Sequence, residues 1–283
     1  MKILTAVLFV LAAAGLAAQS PAPVVDVTST VDWAAGRVVV EARAPLDPDA
    51  TNLMKAKADA ETTIDQRLPE ALSRAVGPLT VDSSHVVADY MASDPSLAAR
   101  IADAASHAPR TDLFLSQDFS TLTARYAVPF FGDQGIGAPF FPSRATPLRR
   151  RLDEVMTRAY TGLLIFARGM LPAVGTTGTS AARPALFPRI WDEQMNLVLD
   201  RTMCSPEALA QWGMVGYSQS VDDPKADLRV GNLPLRLAAR GVFGDHATDV
   251  VISTDGARQL LALPENLALL QQGRIVIVYD SLN

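Results

Sequence analysis

Apolar positions follow two different rhythms along this chain. Between Val24 and Ala44, the residues Val25, Val27, Val31 and Trp33 alternate with polar or small neighbours, and Val38, Val39 and Val40 follow the turn signal Ala34-Ala35-Gly36. A period of two on either side of a glycine turn predicts a β-hairpin. From Asp49 to Val76 the period becomes four, because Ala60, Ile64, Leu68, Leu72 and Val76 form one stripe down a helix. Burying such a side chain is worth about 1.5–3 kcal/mol, so the stripe is the predicted centre of a first core. Leu68→Ala is then expected to cost about 2–5 kcal/mol. Pro69 predicts a kink or restart, since proline inside a helix costs about 3 kcal/mol, and Gly77-Pro78 predicts the end. A second helix opens at Asp94-Pro95, a capping residue followed by proline at the first helical position, with Leu97, Ile101 and Ala105 facing inward. Leu122, Ala124, Tyr126, Val128 and Phe130 then alternate as a half-buried strand, which Gly132, Gly135, Gly137 and Pro139 break.

The second half starts with a predicted helix carrying Leu148, Leu152, Val155, Met156 and Ala159. A strand from Thr161 to Ala167 follows, and the Gly/Thr/Ser/Ala-rich stretch from Gly169 to Ala182 reads as a flexible surface excursion. Pro188 to Asp192 and Asn196 to Leu199 pair as a hairpin, and Ser205-Pro206-Glu207 begins a short helix that stops at Gly213. Strands are predicted from Leu233 to Val242 and from Val250 to Ser253. A helix from Ala257 to Leu263, one more turn from Pro264 to Gly273 and a last strand from Arg274 to Tyr279 complete the chain. Hairpins mixed with helices over short connections indicate an α+β fold. Two small units of mixed or antiparallel sheet packed with helices are expected. The first is a strand-strand-helix-helix-strand unit at 20–132, the second spans 147–283, and 133–146 is a linker.

The first nineteen residues carry a different signal. Lys2 precedes a run from Ile3 to Ala14 that is apolar apart from Thr5, and small residues lead to Gln19. A positive start, a short apolar stretch and a small-residue exit make a secretory signal peptide. The stretch is shorter than the ~20 residues a membrane span needs. No cysteine follows to take a lipid, so the expected mature protein is soluble and periplasmic or otherwise extracytoplasmic, without a transmembrane helix. Composition agrees: 49% of the 283 residues are hydrophobic, which permits a packed core. A net charge of −5 argues against a nucleic-acid binder that lives on phosphate contacts. One cysteine excludes an intramolecular disulfide.

Two stretches carry a resemblance. The segment Tyr160-Thr161-Gly162-Leu163-Leu164-Ile165-Phe166-Ala167-Arg168-Gly169 continues with Arg183-Pro184-Ala185-Leu186-Phe187-Pro188-Arg189-Ile190-Trp191-Asp192-Glu193. Together they resemble a block of the form YTGLIIDARG…KPALFPRIYDE found in secreted bacterial proteins of unknown role. Phe166 stands where that block has an aspartate, so any chemistry of that carboxylate is not implied here. The first unit is similar to the small outer-membrane lipoprotein family that includes the flagellar protein FlgP. That similarity implies an envelope or flagellar setting, and the lipid-bearing cysteine of that family is absent.

Few residues announce chemistry. His85, His107 and His246 are scattered with no metal-ligand spacing, so neither a metal nor a cofactor is expected. Gly216-Tyr217-Ser218-Gln219-Ser220 approaches a nucleophile elbow, but Ser220 replaces the second glycine. Ser218 with His246 is therefore a weak hydrolase pair. Arg149-Arg150-Arg151, one helical turn from Asp153 and Glu154, reads as an ion-paired helix face. Arg168, Arg189, Asp192 and Glu193 form the best polar cluster, either an ion-paired strand end or a groove for a polar ligand or peptide. The sequence thus favours a non-catalytic, exported cell-envelope protein that binds an envelope protein or glycan. A small-ligand-binding protein and a secreted serine hydrolase are the alternatives.

Overall fold

The computed structural model describes residues 25–47, 50–151 and 155–280. The expected signal peptide lies outside them, as do Asp153 and Glu154. The first half opens with the predicted hairpin, β1 (Asp26–Asp32) and β2 (Arg37–Pro45), followed by α1 (Leu53–Val76), α2 (Val87–Ser93) and α3 (Pro95–Ser106). β3 (Arg110–Leu115) and β4 (Thr121–Pro129) close an antiparallel sheet of order β1-β2-β4-β3. The buried face of β2 (Val38, Val40, Ala42, Ala44) and that of β4 (Leu122, Ala124, Tyr126, Val128) pack with Ala60, Ile64, Leu72 and Val76 of α1. Each element is started by local chemistry. Asn52 caps α1 by accepting from the Met54 and Lys55 amides at 3.0 and 3.2 Å. Asp94 does the same for Ser96 and Leu97 at 2.9 and 3.2 Å, with Pro95 in the first turn. The sequence reading missed α2 and β3, so the unit has one more helix and one more strand than expected.

Pro69 does not restart α1, which runs unbroken through it. Pro69 is exposed and so is Asp65, whose carbonyl loses its usual partner. Water can replace that bond on the solvent face, while Ile64 and Leu72 hold the buried face on either side. Leu68 is only partly buried at the edge of the core.

The second half contains β5 (Leu163–Ala167), β6 (Met170–Pro172), β7 (Thr179–Ala181), β8 (Ile190–Asp192) and β9 (Leu197–Leu199). Next come α4 (Pro206–Trp212), β10 (Gly216–Ser218), α5 (Pro224–Val230), β11 (Leu235–Ala238), β12 (Gly241–Phe243) and β13 (Asp249–Ile252). α6 (Thr254–Ala262), α7 (Pro264–Gln271) and β14 (Ile275–Tyr279) end it. One sheet, of order β10-β14-β5-β11, is wholly parallel. Every residue of β14 is buried, as expected of a strand covered on both faces. Its alternate residues divide between two cores. Ile275, Ile277 and Tyr279 join the main one, and Val276 and Val278 pack with Leu164 of β5 and Ala226 and Val230 of α5. The second sheet has order β12-β13-β8-β9. The predicted strand over 233–242 is in fact two, because the chain passes from the first sheet (β11) to the second (β12) at Ala239-Arg240. The architecture is α+β.

Two further expectations are corrected. Residues 145–151 and 155–160 form no helix; they are an extended strap laid over the ends of α6 and α7. The Arg151 amide donates to the Leu261 carbonyl at 2.9 Å, Arg150 Nε to Ala262 at 2.8 Å and Thr157 Oγ1 to Gln259 at 3.0 Å. These are carbonyls of the last turn of α6, which a helix leaves without intrahelical partners. The strap thus bonds to the end of α6 instead of to itself, and the Arg149–Arg151 helix face does not exist. The 169–182 stretch is not a loose excursion either. It is the hairpin β6–β7, tied to β12 by the Ala173–Val242 bridge.

The halves share one apolar core. Backbone bonds join them: the Leu186 and Phe187 amides donate to the Thr80 and Val81 carbonyls at 2.9 and 2.8 Å, and the His246 amide to Ser83 at 3.0 Å. Residues 133–146 take part, with Ile136 and Phe140 buried. No helix among the described residues is long and apolar enough to cross a membrane.

Candidate functional site

The residues singled out from sequence do not converge. Ser218, at the end of β10, is buried, and its hydroxyl, with one proton to donate, lies 2.8 Å from both Asp223 Oδ2 and the Ser220 carbonyl. His246 sits in the β12–β13 turn docked on Ser83 and is not among the Ser218 partners. Arg168 donates to the Gln219 carbonyl and lies 3.3 Å from Asp280. Glu193 accepts from the Thr254 amide at 3.2 Å and faces Arg240 at 3.7 Å. Asp192 is buried and turned into its own hairpin, where it accepts from Gln194 and Asn196 amides at 3.0 and 2.8 Å. Arg189 borders a cavity.

That cavity, about 200 Å³, lies where the 82–90 segment meets the start of β8 and residues 200–202. Asp82 organises it. One oxygen accepts from the Ser84 and His85 amides at 3.0 Å and from His85 Nδ1 at 3.1 Å, the other from the Tyr90 hydroxyl at 2.8 Å. Burial works to raise the Asp82 carboxyl, but these hydrogen bonds outweigh it and hold it below its ordinary value. Arg189, Arg201, Asp82 and Asp200 all line the cavity, two side chains of each formal charge.

A larger cleft of about 410 Å³ opens between the turn of the first hairpin and the parallel sheet. Its walls are aromatic: Trp33 and Phe130 from the first half, Phe131, and Trp212 and Tyr217 from the second. The rings brace one another, with Trp33 4.9 Å from Phe130 and 5.7 Å from Tyr217. Tyr217 is fixed from behind by Ala185, whose carbonyl accepts its O–H at 2.9 Å and whose amide donates back at 3.0 Å. Burial raises this phenol, so it stays neutral. Arg229 of α5 forms part of the wall and is itself buried. Its Nε, Nη1 and Nη2 donate to the carbonyls of Gly273, Trp212 and Gly213 at 2.8, 2.9 and 2.7 Å. The Trp212 ring lies 5.2 Å away. Burial pulls the guanidinium down to about 9, so it is largely charged at neutral pH. Lys225 and Asp223 stand at the cleft, and Asp223 is occupied by Ser218 and by the Lys225 amide at 2.9 Å.

A broader depression of about 570 Å³ near the end of α1 is shallow, and its charged lining groups, Glu70 and Arg74, pair with each other at 2.6 Å. Among the described residues no three His, Cys, Asp or Glu side chains gather to hold a metal. Cys204 is buried and its thiol is pushed up to about 12, so it is not a nucleophile at neutral pH. Sequence reasoning missed the cleft entirely. The one available signal was that Trp33 closes a strand whose next residues are a turn.

Two family models match the chain. Residues 24–133 match the N-terminal domain of Treponema pallidum Tp0624, and residues 162–281 match the second domain of the same protein. Neither match is to the lipoprotein family that includes FlgP. No curated protein matches the chain. The chain thus carries, in order, regions similar to the N-terminal and second domains of Tp0624.

Proposed function

We propose that this protein is an exported, non-catalytic binding component of the cell envelope, and that the aromatic cleft between its halves is its recognition site. The cleft carries this reading. Its volume falls in the range of ligand sites, about 300–1,000 Å³, and it sets aromatic walls beside the polar groups of Gln211, Asp223, Lys225 and Arg229. Trp and Tyr lining is also characteristic of contact surfaces that bind with little ordering cost. The Ser218 hydroxyl is bonded to Asp223 and Ser220, and the His246 backbone is docked on Ser83, which favours a binding role over a hydrolase. Arg168 is engaged by Gln219 and Asp280, Glu193 by Thr254 and Arg240, and Asp192 by its own hairpin, which favours the aromatic cleft over a groove built on these residues and Arg189. An envelope protein segment or glycan is the expected occupant, and a flagellar or outer-membrane assembly is the setting that the first-unit resemblance suggests.

Crosslinking in intact cells tests the reading. A photoreactive residue at Leu228, exposed on the cleft rim, should yield an envelope adduct that Trp33→Ala diminishes. The same probe at Met156, exposed on the strap, should not. Identical products from both positions, or products indifferent to Trp33, would refute the assignment.

A further inference from the structure

Resting on the cleft as the recognition site, we infer that its occupant is a peptide carboxy-terminus: an extended chain end whose free carboxylate meets Arg229 and whose last, apolar side chain enters the aromatic walls. The first ground is charge. Arg229 is more than nine-tenths buried, yet among the described residues no carboxylate pairs with it; three backbone carbonyls take its hydrogen bonds. Carbonyl dipoles offset only part of a buried unit charge. A guanidinium carries five N–H donors, so donors remain beyond those three bonds. A ligand anion in the cleft would supply the missing counter-charge, and a carboxylate matches the planar fork in shape. Asp223 also stands at the cleft, where it accepts from the Ser218 hydroxyl and the Lys225 amide and forms no ion pair with Arg229 among the described residues. Lys225 adds a second positive charge at the same cleft.

The second ground is the backbone. β10 is the outermost strand of the parallel sheet, and its residues Gly216 and Tyr217 line the cleft. An outer strand leaves one row of N–H and C=O groups without a sheet partner, which an extended peptide can use. Gly216, where β10 begins, lies against the guanidinium: a Cβ there would stand 3.0 Å from Arg229 Nη1. A chain end at Arg229 would therefore run antiparallel along β10. Trp33, Phe130 and Tyr217 would then face its terminal side chain. The combination of anion, strand edge and aromatic wall selects a peptide over a sugar or a lipid.

The test compares acetyl-Ala-Ala-Phe with its C-terminal amide, titrated into the full chain by calorimetry and by the fluorescence of Trp33 and Trp212. The free acid should bind at least tenfold more tightly than the amide, and the preference should collapse in Arg229→Gln. That variant also loses three structural hydrogen bonds, so its melting curve is measured alongside, and the acid–amide comparison on the unaltered protein stands without it. Equal affinity for acid and amide would overturn the carboxylate assignment while leaving the cleft as a binding site. Failure of both peptides to bind would overturn it as well. The crosslinking from Leu228 reports separately on whether the cleft is in use.

Discussion

Asp192 shows how one side chain can read as a ligand in the sequence and serve as a turn in the fold. Next to Glu193, and near Arg189, it suggested a polar cluster. In the hairpin its oxygens accept from two amides and from Asn196 Nδ2, at 3.2 and 2.9 Å, and Met195 in the turn is left-handed at φ 58°. Nothing in the local pattern separates these roles, because both need a carboxylate at a strand end. Asp192→Ala should therefore lower stability by about 1–3 kcal/mol, the cost of stranding buried donors, and leave peptide affinity unchanged; thermal melting with the same calorimetry checks both. Asp82 makes a prediction with a sign. Its carboxyl is easier to ionise folded than unfolded, so its contribution is complete above the ordinary value of 3.8 and is lost as pH falls through the lower folded value. Asp249 acts oppositely, because burial raises it and its ionisation above that value weakens the fold. Asp82→Asn should therefore flatten the acid limb of a stability–pH curve below about pH 4, whereas a steepened limb would contradict the hydrogen-bond account.

At the scale of elements, legibility followed the range of the forces. The caps at Asp94 and Ser205, the prolines after them and the alternation of β4 are local, and the corresponding helices and strand stand where the sequence places them. The segment over 147–160 has helical spacing too, but its partners lie a hundred residues away on α6 and α7, and a periodicity count contains no term for them. The 170–181 hairpin failed for the same reason, since its anchor at Val242 is remote. Helix α1 shows the balance between local cost and tertiary gain. Leu72 is fully buried and Leu68 is not, so the full 2–5 kcal/mol penalty of a Leu→Ala cavity is expected at Leu72, with about 1–2 kcal/mol at Leu68. Pro69→Ala should stabilise the helix by up to about 3 kcal/mol, because it restores an interior donor on an exposed face. Denaturant unfolding of the three variants ranks them directly.

The whole molecule is governed by how its two family-matched regions are joined. A cleft built from Trp33, Phe130, Trp212, Tyr217 and Arg229 draws on positions almost two hundred residues apart, so no reading of either region alone could contain it. The same joint should govern stability. Phe187, buried in the second region, touches Phe131, Phe140 and Phe141 with centroids 6.0, 6.0 and 6.4 Å away, and Arg201 stacks over it at 5.7 Å. Its amide also bonds the Val81 carbonyl. Emptying this position with Phe187→Ala should cost about 3–5 kcal/mol. Because the apolar core is continuous across the joint, that loss should be felt on both sides of it. Amides in β4, such as Ala124 and Tyr126, should lose hydrogen-exchange protection by the same free energy as Ile277 in β14. Calorimetry of the unaltered chain should correspondingly show one transition, with calorimetric and van't Hoff enthalpies equal. Were protection lost in one region only, the two would be independent folding units, and the cleft between them could not be held rigid enough to select a chain end.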